Sequence, residues 1–194
     1  MTNAPKILAF AGSSRETSWN KKLVQIAVAG AKEAGAQVTY LDLRDLPMPL
    51  YDQDAEEKEG IPETVLKFKQ LMKAHQGLLI ASPEYNSSIS PLLKNAIDWA
   101  SRPEPGGPPL ALSCFRDKVA VLMSTSPGGI GGLRGLVHVR AILGNIGVLV
   151  LPDQKAIPNA YQAFDQNGNL IDETQQAAVK QLGSKLATVL AKLA

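Results

Sequence analysis

The chain has 194 residues, of which 45% are hydrophobic and 20% are charged, as in an ordinary globular domain. Its net charge of +2, without a basic run interleaved with aromatic residues, excludes a nucleic-acid-binding protein. No apolar run is long enough to cross a membrane, so neither nucleic acid nor a membrane is an expected partner.

Apolar runs of strand length recur along the whole chain, and we predict a single domain over residues 1–194. The predicted strands are residues 6–11, 37–42, 77–82, 118–125 and 147–151. The segments between these runs carry apolar residues at helical spacing. The predicted helices are one that ends near Gly35, one over 62–74, one that starts near Pro91, one over 133–146 and one over 172–193. The acidic run 54–59 is predicted to be a solvated loop.

Strands that alternate with helices imply a parallel sheet covered on both faces, which is a three-layer α/β/α sandwich. No GxGxxG dinucleotide fingerprint follows the first strand, which favours the flavodoxin-like strand order 2-1-3-4-5 over the Rossmann order. In the flavodoxin-like order, ligands bind at the carboxyl ends of the strands where the direction of winding reverses. Unusual loops should therefore follow the first, third and fourth strands, and they do.

The loop after the first strand, GSSRETSWN at residues 12–20, has the features of a phosphate cradle. The first N–H groups of the following helix have no partner within the helix, and the helix dipole is positive there. Hydroxyls of Ser13, Ser14 and Ser18, the Asn20 amide and the Arg15 guanidinium add donors for phosphate oxygens. The loop lacks the Walker pattern and most glycines of a pyrophosphate loop, so it favours a single terminal phosphate. Arg15 as a surface charge and Ser18 as a simple helix cap are the alternatives.

The loop after the third strand, SPEYNSSISP at residues 82–91, suits a flat heteroaromatic ring. Pro83 and Tyr85 offer rigid surface, while Glu84 and Asn86 offer contacts to a ring edge. An ordinary surface turn that leads into a helix at Pro91 is the alternative interpretation.

The loop after the fourth strand, STSPGGIGGLRG at residues 124–135, is rich in glycine. Its four clustered glycines allow the backbone to approach a ligand closely, although a flexible hinge would have the same composition. Elsewhere the spacing of His75, His138 and Cys114 indicates neither a metal cluster nor a catalytic triad, and no catalytic side chain is predicted.

With these motifs in place, the chain resembles the NADPH-dependent FMN reductase family, the flavodoxin-like group that includes quinone, azo and chromate reductases. Residues 12–20 are similar to the family motif GSxRxxSxN. Residues 82–99, SPEYNSSISPLLKNAIDW, are similar to its PEYNxSxxxxLKNAIDW. The glycine-containing loop at 124–135 is similar to the third family loop, and the resemblance spans about residues 5–150.

The resemblance implies a set of FMN-binding residues from all three loops. The phosphate would be held by Ser13, Arg15, Ser18 and Asn20. The isoalloxazine ring would be lined by Pro83, Glu84, Tyr85 and Asn86, and approached by Ser126, Gly128 and Gly129. Trp19 stands at a variable position of the first motif and is included in the predicted set.

The resemblance also implies an activity and an assembly. Bound FMN would take hydride from NADPH or NADH and pass it, by ping-pong kinetics, to a small acceptor such as free flavin, a quinone, an azo compound or chromate. The family usually forms homodimers or homotetramers with the flavin near a subunit interface.

Two other interpretations remain open from the sequence. A flavodoxin-like electron carrier would bind FMN without oxidising NAD(P)H directly, although such carriers tend to be strongly acidic. A cofactor-free α/β protein could bind another phosphate ester. The single cysteine cannot form a disulfide within the chain, and the first residues lack a signal-peptide core, so a cytoplasmic location is expected.

Overall fold

The computed structural model of the protein describes residues 4–104, 106–108 and 112–193. A parallel sheet forms the middle layer, with helices on both sides. In chain order the elements are β1 (Lys6–Ala11), α1 (Trp19–Glu33), β2 (Gln37–Leu41), a 3₁₀ turn (Leu43–Asp45), α2 (Gln53–Glu59), α3 (Glu63–Ala74), β3 (Gly77–Ala81), β4 (Glu84–Tyr85), β5 (Ser88–Ile89), α4 (Pro91–Ser101), β6 (Val119–Thr125), α5 (Leu133–Asn145), β7 (Leu149–Ile157), α6 (Ala160–Ala163) and α7 (Glu173–Leu193).

The long strands lie in the order β2-β1-β3-β6-β7, and every neighbouring pair is parallel. Strands β4 and β5 form a separate antiparallel hairpin. Counted without that hairpin, the order is 2-1-3-4-5, so the predicted flavodoxin-like α/β/α sandwich is confirmed. The winding reverses between β1 and β3, where Ile7 pairs with Gly77 and Ala11 pairs with Ala81.

Alternate residues of each strand enter two separate apolar cores. In β1, Ile7 and Ala9 pack towards α1 and α7, while Leu8 and Phe10 pack towards α3, α4 and α5. Because β1, β3 and β6 are covered on both faces, nearly all their side chains are buried. This double burial produces the continuous apolar runs from which these strands were predicted.

The last strand extends six residues beyond its predicted end. Pairing with β6 is irregular there, since Ala120 faces Val150 whereas Leu122 faces Gln154. The extra residues on β7 form a bulge that contains Pro152, a residue tolerated at bulges and sheet edges because it cannot donate a ladder hydrogen bond. The residues after this bulge are mostly polar, so the sequence pattern did not predict that the strand continues.

The expected loop at 54–59 is wrong, because Gln53–Glu59 is the helix α2. The Asp52 carboxylate caps it by accepting a hydrogen bond from the Ala55 N–H at 3.1 Å. No residue of α2 is buried, so it has no apolar periodicity that could have revealed it. Among the helices that the structure describes, none has the length and apolar character needed to span a lipid bilayer.

Candidate functional site

A cavity of about 270 Å³ opens at the carboxyl ends of β1, β3 and β6, at the point where the sheet winding reverses. The structure brings together nine of the twelve residues predicted from the sequence. They are Ser13, Arg15, Ser18, Trp19, Asn20, Pro83, Glu84, Tyr85 and Ser126. Residues from all three unusual loops therefore line one cavity.

Three predicted residues, Asn86, Gly128 and Gly129, are not among those that line this cavity. Their proposed contacts with a cofactor stay a prediction. Conversely, Thr125, Pro127 and Tyr161 line the cavity and were not predicted. Thr125 and Pro127 flank the predicted Ser126, whereas Tyr161 comes from α6, beyond the motifs that indicated the site.

The β1 end of the cavity has the features of an anion site. Ser13 and Ser18 are buried polar residues, 7% and 4% exposed. Ser18 precedes the first turn of α1, yet within the described structure its side chain makes no capping hydrogen bond. The first turn of α1 contains no acidic residue that would neutralise the positive end of the helix dipole. The N–H groups at the helix start, a hydroxyl that makes no capping bond and a positive dipole together favour a bound anion.

Arg15 lies beside this anion site on an aromatic surface. Its Cζ atom is 4.5 Å from the centroid of the Trp19 ring, and its Nη2 donates a hydrogen bond to the Thr17 carbonyl at 3.1 Å. Trp19 in turn packs edge to face against Tyr161, with ring centroids 4.5 Å apart. The adjacent acidic residue, Glu16, pairs with Arg44 and not with Arg15.

Asn20 joins two of the three loops. Its Nδ2 donates to the Thr125 carbonyl at 2.9 Å, and its Oδ1 accepts from the Thr125 N–H at 3.1 Å. These bonds give Asn20 a structural role that the sequence did not indicate. Only the second Nδ2 hydrogen is left for the phosphate contact that the family motif implies.

The hairpin β4–β5 presents Tyr85 at the cavity. Its two-residue turn consists of Asn86 and Ser87, which have φ angles of 50° and 68°. Positive φ at both positions gives the type I′ geometry that matches the twist of a tight hairpin. The turn leaves the Tyr85 side chain 55% exposed beside the cavity.

Glu84 fixes this hairpin to α5. Its Oε2 accepts a hydrogen bond from the Gly135 N–H at 3.0 Å, and its Oε1 accepts two from the Arg134 guanidinium at 2.8 and 3.1 Å. Burial alone would raise the pKa of Glu84, but these hydrogen bonds outweigh it, so the pKa lies below its ordinary value. Glu84 is therefore an ionised residue at the positive end of α5, and both its oxygens already have partners.

Two glycines shape the loop after β6. Gly132 has a φ of 86°, and a Cβ atom there would overlap the Ser124 hydroxyl. Gly131 has a φ of 63°, and a Cβ there would lie 2.6 Å from the Ile157 backbone. By contrast, a Cβ at Gly129 would meet nothing within 4 Å. The loop needs glycine where it packs on β6 and β7, a different reason from the ligand approach expected at Gly128 and Gly129.

A larger cavity of about 390 Å³ lies elsewhere, between α1 and the turn before α7. Lys22 and Lys180 are among its lining residues, and Lys180 pairs with Glu33 at 2.7 Å. This cavity is away from the carboxyl ends of the strands and contains none of the three motif loops. The smaller cavity is therefore the better candidate for the functional site.

The strand order and the cavity together define a flavodoxin-like protein with a candidate binding site at the carboxyl ends of its strands. The sequence profile of the NADPH-dependent FMN reductase family matches residues 5–162, which is most of the chain. The chain therefore belongs to this family. It is an oxidoreductase with FMN as cofactor and NAD(P)H as reductant.

Individual relatives agree with this assignment. A protein named NADPH:quinone oxidoreductase from Arabidopsis thaliana is 37% identical over 182 residues, which cover 91% of this chain and 87% of the relative. An NAD(P)H-dependent FMN reductase from Pseudomonas aeruginosa is 35% identical and covers 93% of this chain and 92% of the relative. Among solved structures, the flavoenzyme NAD(P)H:(acceptor) oxidoreductase FerB from Paracoccus denitrificans superposes with a TM-score of 0.79 at 26% identity. That match covers 97% of this chain and 98% of FerB.

The residues of the cavity fit FMN. The Ser18 hydroxyl, the α1 N-terminus and Arg15 supply the donors that a phosphate dianion requires. Pro83 and Tyr85, from the loop after β3, supply rigid surface for a planar ring. The two kinds of wall match the two chemically different ends of the cofactor.

Proposed function

We propose that this protein is a quinone reductase of the FMN reductase family, which oxidises NAD(P)H and reduces a small planar acceptor in a second, separate half-reaction. When bound, FMN supplies the chemistry, since it accepts a hydride from NAD(P)H and gives two electrons to the acceptor. A quinone is favoured because relatives at 33–37% identity are named NADPH:quinone oxidoreductases. Free flavin, azo compounds and chromate are the other acceptors to be tested.

The observation that supports a two-step reaction most directly is the single open cavity that all three motif loops share. FMN bound against these loops would leave one face of its ring open at the mouth of this cavity. The nicotinamide and the acceptor would therefore use the same face in turn, which is ping-pong kinetics.

The chain's own residues bind and orient in this proposal. Ser13, Ser18 and Arg15 bind the phosphate, and the N–H groups at the start of α1 assist them. Pro83 and Tyr85 flank the ring, and Tyr85 orients the incoming substrate. That no side-chain acid or base takes part in the hydride step stays a prediction.

We infer that the active form is a homodimer or homotetramer. Ile130, Leu133 and Val137 are apolar and 44–58% exposed, and α5 packs against the hairpin that carries the exposed Tyr85. A second copy that covers this apolar surface would also border the cavity. A cytoplasmic location suits the single, buried Cys114 and the use of NAD(P)H.

A visible spectrum of the purified protein, before and after anaerobic addition of NADPH, tests cofactor and reductase activity together. The proposal expects flavin absorption that bleaches rapidly. An electron carrier would bleach slowly, and a colourless protein that ignores added FMN would contradict the proposal outright.

The kinetic order is tested by steady-state rates with p-benzoquinone varied at several NADPH concentrations. Parallel double-reciprocal lines are expected for two separate half-reactions. Intersecting lines would mean that both substrates bind together, and a higher kcat/KM with free FMN than with the quinone would overturn the acceptor assignment. Light scattering of the purified protein reports the oligomeric state.

A further inference from the structure

We propose that Trp19 and Tyr161 are positioning residues that hold the Arg15 guanidinium in place for the FMN phosphate. This inference rests on the proposed phosphate-binding role of Arg15. Tyr161 lies outside the three motif loops, and nothing in the chemistry of hydride transfer requires it.

The Arg15 side chain is held by two contacts in the structure. Its guanidinium lies over the Trp19 ring, with 4.5 Å between Cζ and the ring centroid, and Nη2 donates to the Thr17 carbonyl at 3.1 Å. A flexible, exposed arginine would otherwise populate many rotamers and lose that freedom when it binds an anion. Because these contacts occupy one N–H and one face of the guanidinium, its other donors stay available to a phosphate.

Arg15 is also free of the ion pairs that would compete with a phosphate. Its neighbour Glu16 pairs with Arg44 at 3.4 Å. Among the described residues, no carboxylate forms a salt bridge with Arg15. A cation that is held by an aromatic face and not by an acid keeps its full charge for a ligand.

Trp19 is held in turn by Tyr161. The two rings meet edge to face, with centroids 4.5 Å apart and planes at 77°, which is a favourable aromatic geometry. The chain around Tyr161 is anchored on the loop after β6, since the Ala160 N–H donates to the Ser126 carbonyl at 3.1 Å and Ala160 itself is buried. The contact thus links the loop after β7 to the loop after β1 across one wall of the cavity.

Tyr161 is 73% exposed, although it is a large aromatic residue. Its ring reaches the rest of the protein through Trp19, and both residues line the cavity together with Arg15. Tyr161 contacts Trp19, and Trp19 contacts the Arg15 guanidinium. Loss of the Tyr161 ring should therefore weaken binding of the FMN phosphate and leave binding of the flavin ring intact. That distinction separates a positioning role from general support of the cavity.

The test compares dissociation constants for FMN and for riboflavin, which has the same ring system without the phosphate. Exposed cation–π and edge-to-face contacts are weak. We therefore expect Tyr161→Ala and Trp19→Leu to weaken FMN binding only about two- to fivefold. Riboflavin affinity should not change in Tyr161→Ala. Tyr161→Phe, which keeps the ring edge, should restore FMN affinity, and Tyr40→Ala at the sheet edge serves as a matched surface control.

A double-mutant cycle completes the test. If Tyr161 acts through Arg15, then Tyr161→Ala should have no further effect on FMN binding in an Arg15→Ala background. Equal losses for FMN and riboflavin, or additive losses in the cycle, would overturn the positioning role. If Arg15→Ala itself keeps wild-type FMN affinity, the phosphate assignment in the proposed function fails, and this inference fails with it. A loss with Arg15→Ala but none with Tyr161→Ala overturns this inference alone.

Discussion

The side-chain amide of Asn20 forms two hydrogen bonds with the main chain of Thr125. The Thr125 carbonyl accepts from Nδ2 at 2.9 Å, and the Thr125 N–H donates to Oδ1 at 3.1 Å. The Thr125 hydroxyl continues this link to the Ile157 carbonyl at 2.9 Å. The ends of β6 and β7 and the start of α1 are therefore held in one hydrogen-bonded unit behind the cavity.

Replacing Asn20 tests whether this unit stabilises the protein. Asn20→Ala leaves a buried N–H and a buried carbonyl of Thr125 without partners, which should lower the free energy of unfolding by about 2–4 kcal/mol. Asn20→Asp keeps an acceptor for the N–H but sets a carboxylate oxygen against the carbonyl, so it should be at least as destabilising. Urea unfolding of the apoprotein measures both variants. A change below about 0.5 kcal/mol for Asn20→Ala would show that water replaces the pair without cost.

The proposed phosphate contacts predict a graded loss of FMN affinity. Charge-assisted hydrogen bonds contribute about 1.5–3 kcal/mol each, so Arg15→Ala should weaken FMN binding about 10- to 100-fold. Ser18→Ala removes a neutral donor and should cost less. Because the Arg15 contribution is electrostatic, added salt should weaken FMN binding to the wild type more than to Arg15→Ala. Fluorescence titration at two ionic strengths measures this, and equal salt dependence of the two proteins would contradict it.

Tyr85 should affect turnover more than cofactor binding. It is exposed beside the cavity and is carried on the β4–β5 hairpin, a different loop from that of Ser13, Arg15 and Ser18. We expect Tyr85→Ala to change kcat/KM and the preference among quinone, flavin and azo acceptors, while the dissociation constant for FMN changes little. Unchanged kinetics with every acceptor would exclude Tyr85 from the substrate side of the site.

The sequence predicted the sheet well because burial leaves a plain signal there. β1, β3 and β6 are covered on both faces and appear as apolar runs between turn-forming residues. Helix α2 was not predicted because none of its residues is buried. The end of β7 was not predicted because a bulge at the sheet edge interrupts its alternating pattern. Helix α2 has no core contact to reveal it, whereas the end of β7 buries Ile157 but loses its regular pattern at the bulge.

The sequence indicated those residues of the cavity lining that lie close together in motifs. Ser13, Arg15 and Ser18 share one loop, and a helix N-terminus explains them locally. Tyr161 and Trp19 are far apart in the sequence and meet only in the folded protein. Glu84 likewise pairs with Arg134, which lies 50 positions further along the chain. Such pairings depend on tertiary geometry, which hydrophobic periodicity and turn chemistry do not report.

The glycine loop gives a matched pair of substitutions. Gly132→Ala places a Cβ at a φ of 86° and against the Ser124 hydroxyl, so it should lower the free energy of unfolding by about 2–4 kcal/mol. Gly129→Ala lies outside the left-handed region and meets nothing within 4 Å, so stability should stay within about 0.5 kcal/mol of wild type. Thermal or urea unfolding of both variants measures the difference. Equal stability of the two would contradict the packing described for this loop.

Glu84 should make the stability of the hairpin depend on pH. Its pKa lies below the ordinary glutamate value of 4.5, because hydrogen bonds from Gly135 and Arg134 outweigh the effect of burial. A depressed pKa in the folded state means that the stabilisation is fully present above pH 4.5 and is lost as the pH falls through the folded-state pKa. Glu84→Gln should therefore cost about 1–2 kcal/mol near pH 7, after allowance for the exposure of Arg134.

Urea unfolding of wild type and Glu84→Gln from pH 7 down to pH 3 measures this dependence. The stability difference between the two proteins should shrink as the pH falls below 4.5, because protonation removes the same charge that the substitution removes. Glu33→Gln, which breaks an exposed ion pair with Lys180, is the matched control and should change stability much less at any pH. A difference between wild type and Glu84→Gln that stays constant over this range would mean that the carboxylate contributes by shape and not by charge. The pKa of Glu84 would then be the same in the folded and unfolded proteins, which would contradict the lowered pKa described above.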